Sequence, residues 1–276
     1  MSNDLNLKPV QANTSHPRPN LSSINPNLVA SYSPSPDKID TNLLIFFHGL
    51  GDTEQPFLNL GKSLNLPQTA ILSIRAPSQI PLLEEPAFQW WDSFDQLGEI
   101  IQRPNPTATL HLMTKIIEHL IRDCNWTLPS LHVFGFAQGG SLAGELSLHL
   151  SRQPSTSSSS IGSIVAVSSP LLSHPTVSNK SETKVCLVFR GKEEERMIGI
   201  ESWRKGYKAV KEVKLEGGRG NEGMPRGMGE WREIMRFWSE VLVRRSALER
   251  GGDVYELAGG IDAAKAAGAK PPPPSR

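Results

Sequence analysis

Cysteine is scarce in this 276-residue chain, which carries only Cys124 and Cys186. Two thiols make no disulfide framework, and both fall in apolar contexts where a buried free thiol is the expected state. Long hydrophobic runs are missing too. The longest, such as LLIFF at 43–47, fall far short of a bilayer span, and the opening MSNDLNLKPVQANTSHPRPN has no apolar stretch of the signal-peptide kind. Charge of one sign is also lacking. Lys and Arg number 29 against 28 Asp and Glu, a net charge of +1, which argues against a nucleic-acid surface and against a solvated acidic chain. No H-E-x-x-H occurs and the cysteines are not spaced as zinc ligands, so neither metal nor cofactor is expected. The absences predict a cytoplasmic protein with no transmembrane segment and no nucleic-acid partner.

What is present reads as one α/β domain with loose ends. At this length a sizeable core can be buried. Residues 1–40 are rich in Pro, Ser and Asn and read as a poorly ordered arm, with LVASY at 28–32 as a candidate edge strand. Residues 41–245 carry the domain. Short, wholly apolar strands are predicted at LLIFF (43–47), AILSI (70–74), LHVFG (131–135), IGSIVAV (161–167) and VCLVF (185–189), a pattern typical of a parallel sheet covered on both faces. Between them lie amphipathic helices. From Thr107 to about Asp123, Leu110, Met113, Ile116, Ile117, Leu120 and Ile121 fall on one stripe. A second helix runs from about Gln138 to Leu150. In a third, GEWREIMRFWSEVLVRR, the stripe is Trp231, Ile234, Met235, Trp238, Val241 and Leu242, and these side chains read as core contacts. Strands alternating with such helices predict a mostly parallel central sheet with helices on both faces. QPSTSSSS at 153–160 reads as a surface loop, 76–106 as a lid or binding loop, and 246–276 as a flexible tail.

Ligands of open parallel sheets bind beyond the carboxyl ends of the strands, so the residues just after each strand carry the chemistry. The first strong strand leads into FFHGLGDTEQPF, whose Gly49 and Gly51 permit a tight turn aiming backbone N–H groups at an oxyanion. His48 in that turn reads as a prop for the loop rather than a base. FQWWDSFD follows the second strand. Trp90 and Trp91 would either line an apolar channel or pin the loop to the body, and the sequence leaves both open. The third strand enters LHVFGFAQGGSLAG, a strand–elbow–helix with Ala137 at its apex and the N–H of Gln138 aimed at the same oxyanion position as the HGLG turn.

LLIFFHGLGDT, the RAP turn, WWDSF and FGFAQGGSLAGEL together resemble the phospholipase/carboxylesterase family of α/β-hydrolases, which includes the acyl-protein thioesterases. The resemblance spans about Asn42 to about Arg245. It implies an α/β-hydrolase fold, serine-dependent hydrolysis of ester or thioester bonds, and small-molecule acyl esters or lipidated peptides as ligands. Family members carry the nucleophile in G-F-S-Q-G, a serine position that maps onto Ala137, and the oxyanion donors map onto the N–H groups of Leu50 and Gln138. The family acid, in a G-x-x-D loop after the next-to-last strand, maps onto Glu194 in LVFRGKEEERM, although a solvated charge run explains KEEER equally well. The family histidine follows the last strand, roughly VKEVKLE at 210–216. Here GGRGNEGMPRGMGEW follows, and no histidine occurs beyond His174.

Alanine offers a methyl where acyl transfer needs an attacking oxygen. The expectation is therefore an α/β-hydrolase-fold protein whose hydrolysis is lost or severely reduced and whose pocket still holds an acyl ligand. Two rivals are an active hydrolase using Ser168 or Ser169 with His174, and an interaction scaffold using the arm and the tail. Ser141, one helical turn past the apex, would point away from the oxyanion donors.

Overall fold

The structure, a computed structural model, describes residues 7–9, 16–81, 83–95, 97–153, 160–216, 223–245 and 255–257. Its strands are β1 (Leu7–Pro9), β2 (Ala30–Ser33), β3 (Asn42–Phe47), β4 (Thr69–Ile74), β5 (Ser78–Gln79), β6 (Phe88–Gln89), β7 (Leu131–Phe136), β8 (Ser163–Val167), β9 (Ser181–Arg190), β10 (Tyr207–Leu215) and β11 (Tyr255–Leu257). Its α-helices are α1 (Glu54–Ser63), α2 (Thr107–Arg122), α3 (Gln138–Ser151), α4 (Gly191–Ile198), α5 (Ile200–Gly206) and α6 (Gly227–Val241).

Alternation along β3 sets the layers. Leu43, Ile45 and Phe47 enter one apolar cluster while Leu44 and Phe46 enter another, on opposite faces of the sheet. All six residues of β3 are buried, as are all six of β4 and all five of β8, the signature of strands covered on both sides. The seven strands run in the order β10-β9-β8-β7-β3-β4-β2. Every neighbouring pair is parallel except β2 with β4, so β2 closes one edge antiparallel. This is the α/β-hydrolase architecture.

Helix α2 packs on the first cluster through the predicted stripe, and α3 adds Leu142, Ala143 and Leu146 to it. Met113, Ile116, Ile117 and Leu120 are buried, and Leu110 and Ile121 pack half-buried against them. Helix α6 covers the second cluster with Ile234, Phe237 and Trp238 buried and Trp231, Met235, Val241 and Leu242 packed alongside. Phe237, outside the predicted stripe, is buried as well, so the helix buries a wider face than those six residues mark.

The sheet and its helices lie in one compact unit, His16–Val243. From the stretch read as an arm, residues 16–40 contribute a short 3₁₀ turn at Leu21–Ser23 and the edge strand β2. A second unit comprises Met1–Ser15 with Arg244–Arg276, in which β1 and β11 pair antiparallel. The remainder of the expected arm and tail, and the serine-rich loop at 154–159, lie outside the described residues.

Candidate active site

Strand β7 ends at Phe136 and α3 begins at Gln138, leaving one residue to reverse the chain. Ala137 does so with φ +48° and ψ −115°, a conformation that L residues seldom adopt and that costs on the order of 1–3 kcal/mol. Its N–H donates to the Val167 carbonyl at 2.8 Å, and its carbonyl accepts Gly140 and Ser141 N–H at 3.1 Å each. Neighbouring glycines let backbones meet: a Cβ at Gly139 would lie 2.3 Å from the Phe47 oxygen, and one at Gly135 would lie 2.4 Å from Gly140 Cα. The apex side chain is half-buried at the carboxyl edge of the sheet. As the first residue of α3, Gln138 has an N–H with no acceptor inside the helix, at the positive end of its dipole.

The Gln138 side chain does separate work. Its Oε1 accepts the Trp90 N–H at 2.7 Å, and its Nε2 donates to Trp91 O at 3.3 Å and to Ser93 Oγ at 2.9 Å. Trp90 is fully buried, with its indole N–H donating to His48 O at 2.8 Å and its carbonyl accepting the Thr109 hydroxyl. Trp91 is buried too. Of the two readings the sequence left open, the loop-pinning one describes these rings.

His48 lies behind the HGLG turn, wholly buried. Its Nε2 accepts the Ala76 N–H of the RAP turn at 2.9 Å, so the proton sits on Nδ1 and donates to Gly49 O at 2.7 Å. Burial lowers its pKa, and the ring is a neutral strut between two turns. Gly51, at φ +85°, donates to Phe88 O at 2.8 Å, tying the turn to the aromatic loop. Leu50, the second expected oxyanion donor, stands in this turn with its side chain 41% exposed.

At the acid position the structure departs from the expected loop. Residues 191–198 form α4, and the Glu194 carboxylate accepts the N–H of Arg190, the residue just before that helix. Arg190, itself buried, pairs bidentately with Glu230 at 2.7 Å per bond and donates to Glu216 O at 2.8 Å. A helix replaces the loop because KEEERMI is a strong helix former whose first-turn glutamates suit the positive end of the helix dipole. Residues 217–222, part of the stretch in which the histidine is expected, lie outside the described residues. The chain is back beside the elbow at Gly223, where a Cβ would lie 3.1 Å from the Phe136 ring.

All seven histidines are accounted for elsewhere. His16 stacks on Trp126 at 3.7 Å; His119 bonds Asp123 at 2.6 Å; His111 and His149 face each other 6.1 Å apart. His132 bonds Ser163 at 2.8 Å, both buried at the amino ends of β7 and β8. His174 is exposed. Ser169 is buried, with its hydroxyl donating to Val167 O at 2.7 Å, and Ser141 donates back to Ala137 O at 3.3 Å. Ser168 is held at φ +54°, and its buried hydroxyl has no partner among the described residues. Cys186 is buried in the core, where its thiol is pushed up to about 12 by desolvation. Among the described residues no group of three or more His, Cys, Asp or Glu is placed to hold a metal ion, and no helix is long and apolar enough to cross a membrane.

Two features carried no sequence signal. The Gln138 latch joins residues 48 positions apart, and the Arg190–Glu230 pair joins residues 40 apart; neither has a local pattern. What the elbow can do chemically is limited. The Gln138 N–H at the start of α3 can donate to a carbonyl or carboxylate oxygen, and the Ala137 methyl beside it cannot attack a carbonyl.

A family model described as Phospholipase/Carboxylesterase matches residues 33–213. An "uncharacterized hydrolase" of Mycosarcoma maydis is 38% identical over 230 residues, covering 82% of this chain and 86% of its own. Among solved structures, esterase PE8 superposes with a TM-score of 0.62 at 15% identity, covering 78% of this chain and 100% of that one. Zea mays acyl-protein thioesterase 2 superposes with a TM-score of 0.56 at 15% identity, covering 78% and 99%. At such identities a superposition speaks for the fold alone. The family match, in contrast, takes in both the HGLG turn and the elbow, and the chain belongs to the phospholipase/carboxylesterase family of α/β-hydrolases.

Proposed function

We propose that this chain binds a carboxylic ester, an acyl thioester or a lipidated peptide at the elbow and does not turn it over at the rate of a serine hydrolase. The observation carrying this reading is Ala137: a strained apex built for a reactive side chain and filled by a methyl. Losing the nucleophile or the base from such an enzyme removes roughly 10⁶ in turnover, and a second loss adds little. The missing imidazole after β10 is therefore consistent with a site whose serine was already gone. The HGLG turn and the elbow are both kept in the chain, which supports binding that outlasts reaction. Two unpaired, buried thiols support a cytoplasmic setting.

The test is a covalent serine-hydrolase probe together with a panel of short- and long-chain esters and thioesters, plus mass spectrometry of the purified protein for a copurified acyl ligand. Expected are no probe labelling, background hydrolysis and a retained ligand. Robust turnover would overturn the reading, and turnover abolished by Ser169→Ala or His174→Ala would establish the displaced-site rival. Commitment of the Ser169 hydroxyl to Val167 O counts against Ser169 as the displaced nucleophile, whereas the Ser168 hydroxyl has no partner among the described residues. An empty pocket would favour the scaffold. Ala137→Ser alone should stay near background; with a histidine added at Asn221 it should regain esterase activity if the oxyanion site is intact.

A further inference from the structure

Beside the elbow, the chain forms a small hairpin whose Phe94, Leu97 and Ile100 side chains are exposed, with Ile101 half-buried at its base. Phe94 and Ile100 form an antiparallel bridge. The Asp95 N–H donates to Glu99 O at 2.9 Å, the Gly98 N–H to Asp95 O at 3.0 Å, and the Ile101 N–H to Ser93 O at 2.9 Å. The Asp95 carboxylate accepts the N–H groups of Leu97 and Glu99, at 2.9 Å each, and stiffens the tip. Despite this order, Phe94 is 41% exposed, Leu97 86% and Ile100 69%. The hairpin is rooted at the elbow through the Ser93 hydroxyl, which accepts from Gln138.

Its charge is one-sided. Between residues 83 and 103 stand five carboxylates (Glu84, Glu85, Asp92, Asp95 and Glu99) against a single cation, Arg103. All five are exposed, and none pairs with a cation among the described residues. Isolated exposed apolar residues are ordinary, but three on one ordered tip within a field of one sign mark a contact surface.

We propose that the 93–101 hairpin is a docking surface for a cationic, amphipathic polypeptide segment, which it would hold beside the elbow. Leu97, Ile100 and Phe94 would take the segment's apolar side chains, and Glu99, Asp92 and the Glu84–Glu85 pair its lysines or arginines. The charge decides the partner: an anionic lipid surface would be repelled by the same carboxylates that attract a basic peptide. The inference deepens the acyl-binding reading, on which it rests for what the docked segment would present to the elbow.

The experiment uses the full chain and an unacylated, fluorescently labelled Lys/Leu amphipathic peptide, with a Glu/Leu peptide and phosphatidylserine vesicles as rivals. Expected is anisotropy-detected binding of the Lys/Leu peptide that weakens toward about 0.5 M salt, where screening is short-ranged. L97S/I100S should weaken it by about ten- to a hundredfold and Glu99→Lys by roughly tenfold, while Met228→Ser, an exposed apolar change on α6, leaves it unaltered. Equal binding of the Glu/Leu peptide, indifference to the hairpin variants, or tighter binding to the vesicles than to the peptide would each overturn it. The peptide carries no acyl group, so the docking surface is tested apart from the acyl site. An acylated peptide of neutral composition tests the acyl-binding reading in the same assay, and the two can fail separately.

Discussion

Gln138 holds Trp90 at a distance of 2.7 Å, side-chain oxygen to backbone N–H, while its own backbone N–H stands at the open end of α3. One residue thereby ties the aromatic loop to the elbow. Gln138→Leu would leave the part-buried Trp90 N–H without its acceptor, costing about 1–3 kcal/mol, and would free the Ser93 root of the hairpin. Urea unfolding should show the lowered midpoint, and limited proteolysis should find earlier cleavage between 83 and 103. Gln138→Glu keeps the acceptor for Trp90 but sets a carboxylate against Trp91 O, so it should fall between wild type and Leu. A Leu variant as stable and as protease-resistant as wild type would remove the latch.

The apex strain is testable apart from catalysis. At φ +48° a glycine fits without its usual penalty. Relief of roughly 1–3 kcal/mol, less roughly 0.5–1 kcal/mol for the more flexible unfolded chain, predicts that Ala137→Gly stabilises by about 1 kcal/mol. Ala137→Val should destabilise, because a β-branched side chain tolerates positive φ poorly. Thermal melts of both variants decide it, and a destabilised Gly variant would argue against a strained apex.

Arg190, buried at the carboxyl end of β9, pairs with Glu230 near the start of α6, whose side chain is 26% exposed. The hydrogen-bonded guanidinium holds the Glu230 carboxyl down to about 2, well below its unfolded range. The folded pKa being depressed, the pair's stabilisation is present above about pH 4.5 and is lost as pH falls through the window from there toward 2. Glu230→Gln should flatten stability across that window and cost about 1–3 kcal/mol at neutral pH, because Arg190, still bonded to Glu216 O, loses its charged partner. Replacing both residues with apolar side chains of similar volume should recover most of that loss. Denaturant midpoints between pH 7 and 2.5 report both effects.

A second acid window belongs to histidine. Burial pushes His132 down to about 4 and lowers His48 as well. Both are neutral when folded and charge readily when unfolded, so their contribution is present above about pH 6.5 and fades as pH falls from there toward 4. His132→Gln, which retains a polar partner for Ser163, should reduce the slope of stability between pH 6.5 and 4. An unchanged slope would show that His132 does not control that window.

Strands β3, β4, β7, β8 and β9, helix α2 and the elbow were legible because each is written in local periodicity: apolar runs of five to seven residues, a 3.6-residue stripe, and glycines flanking one apex. The same locality made Ala137 readable at the elbow's apex from its neighbours, and the absence of histidine beyond His174 needs only a count. Helix α4 escaped because the expected loop rested on family spacing, whereas the glutamates that suit a helix's first turn decided the local conformation.

By itself the sequence determined the layered sheet and the composition of the elbow, because alternation and glycine placement act within a few residues. Only the tertiary structure decided what those residues touch: that Gln138 anchors the aromatic loop, that His48 is a neutral strut between two turns, and that Arg190 finds Glu230. Each of these joins segments separated by tens of residues. Hydrogen bonds of that reach follow from packing the sheet as a whole, and a pattern read along the chain has no term for them.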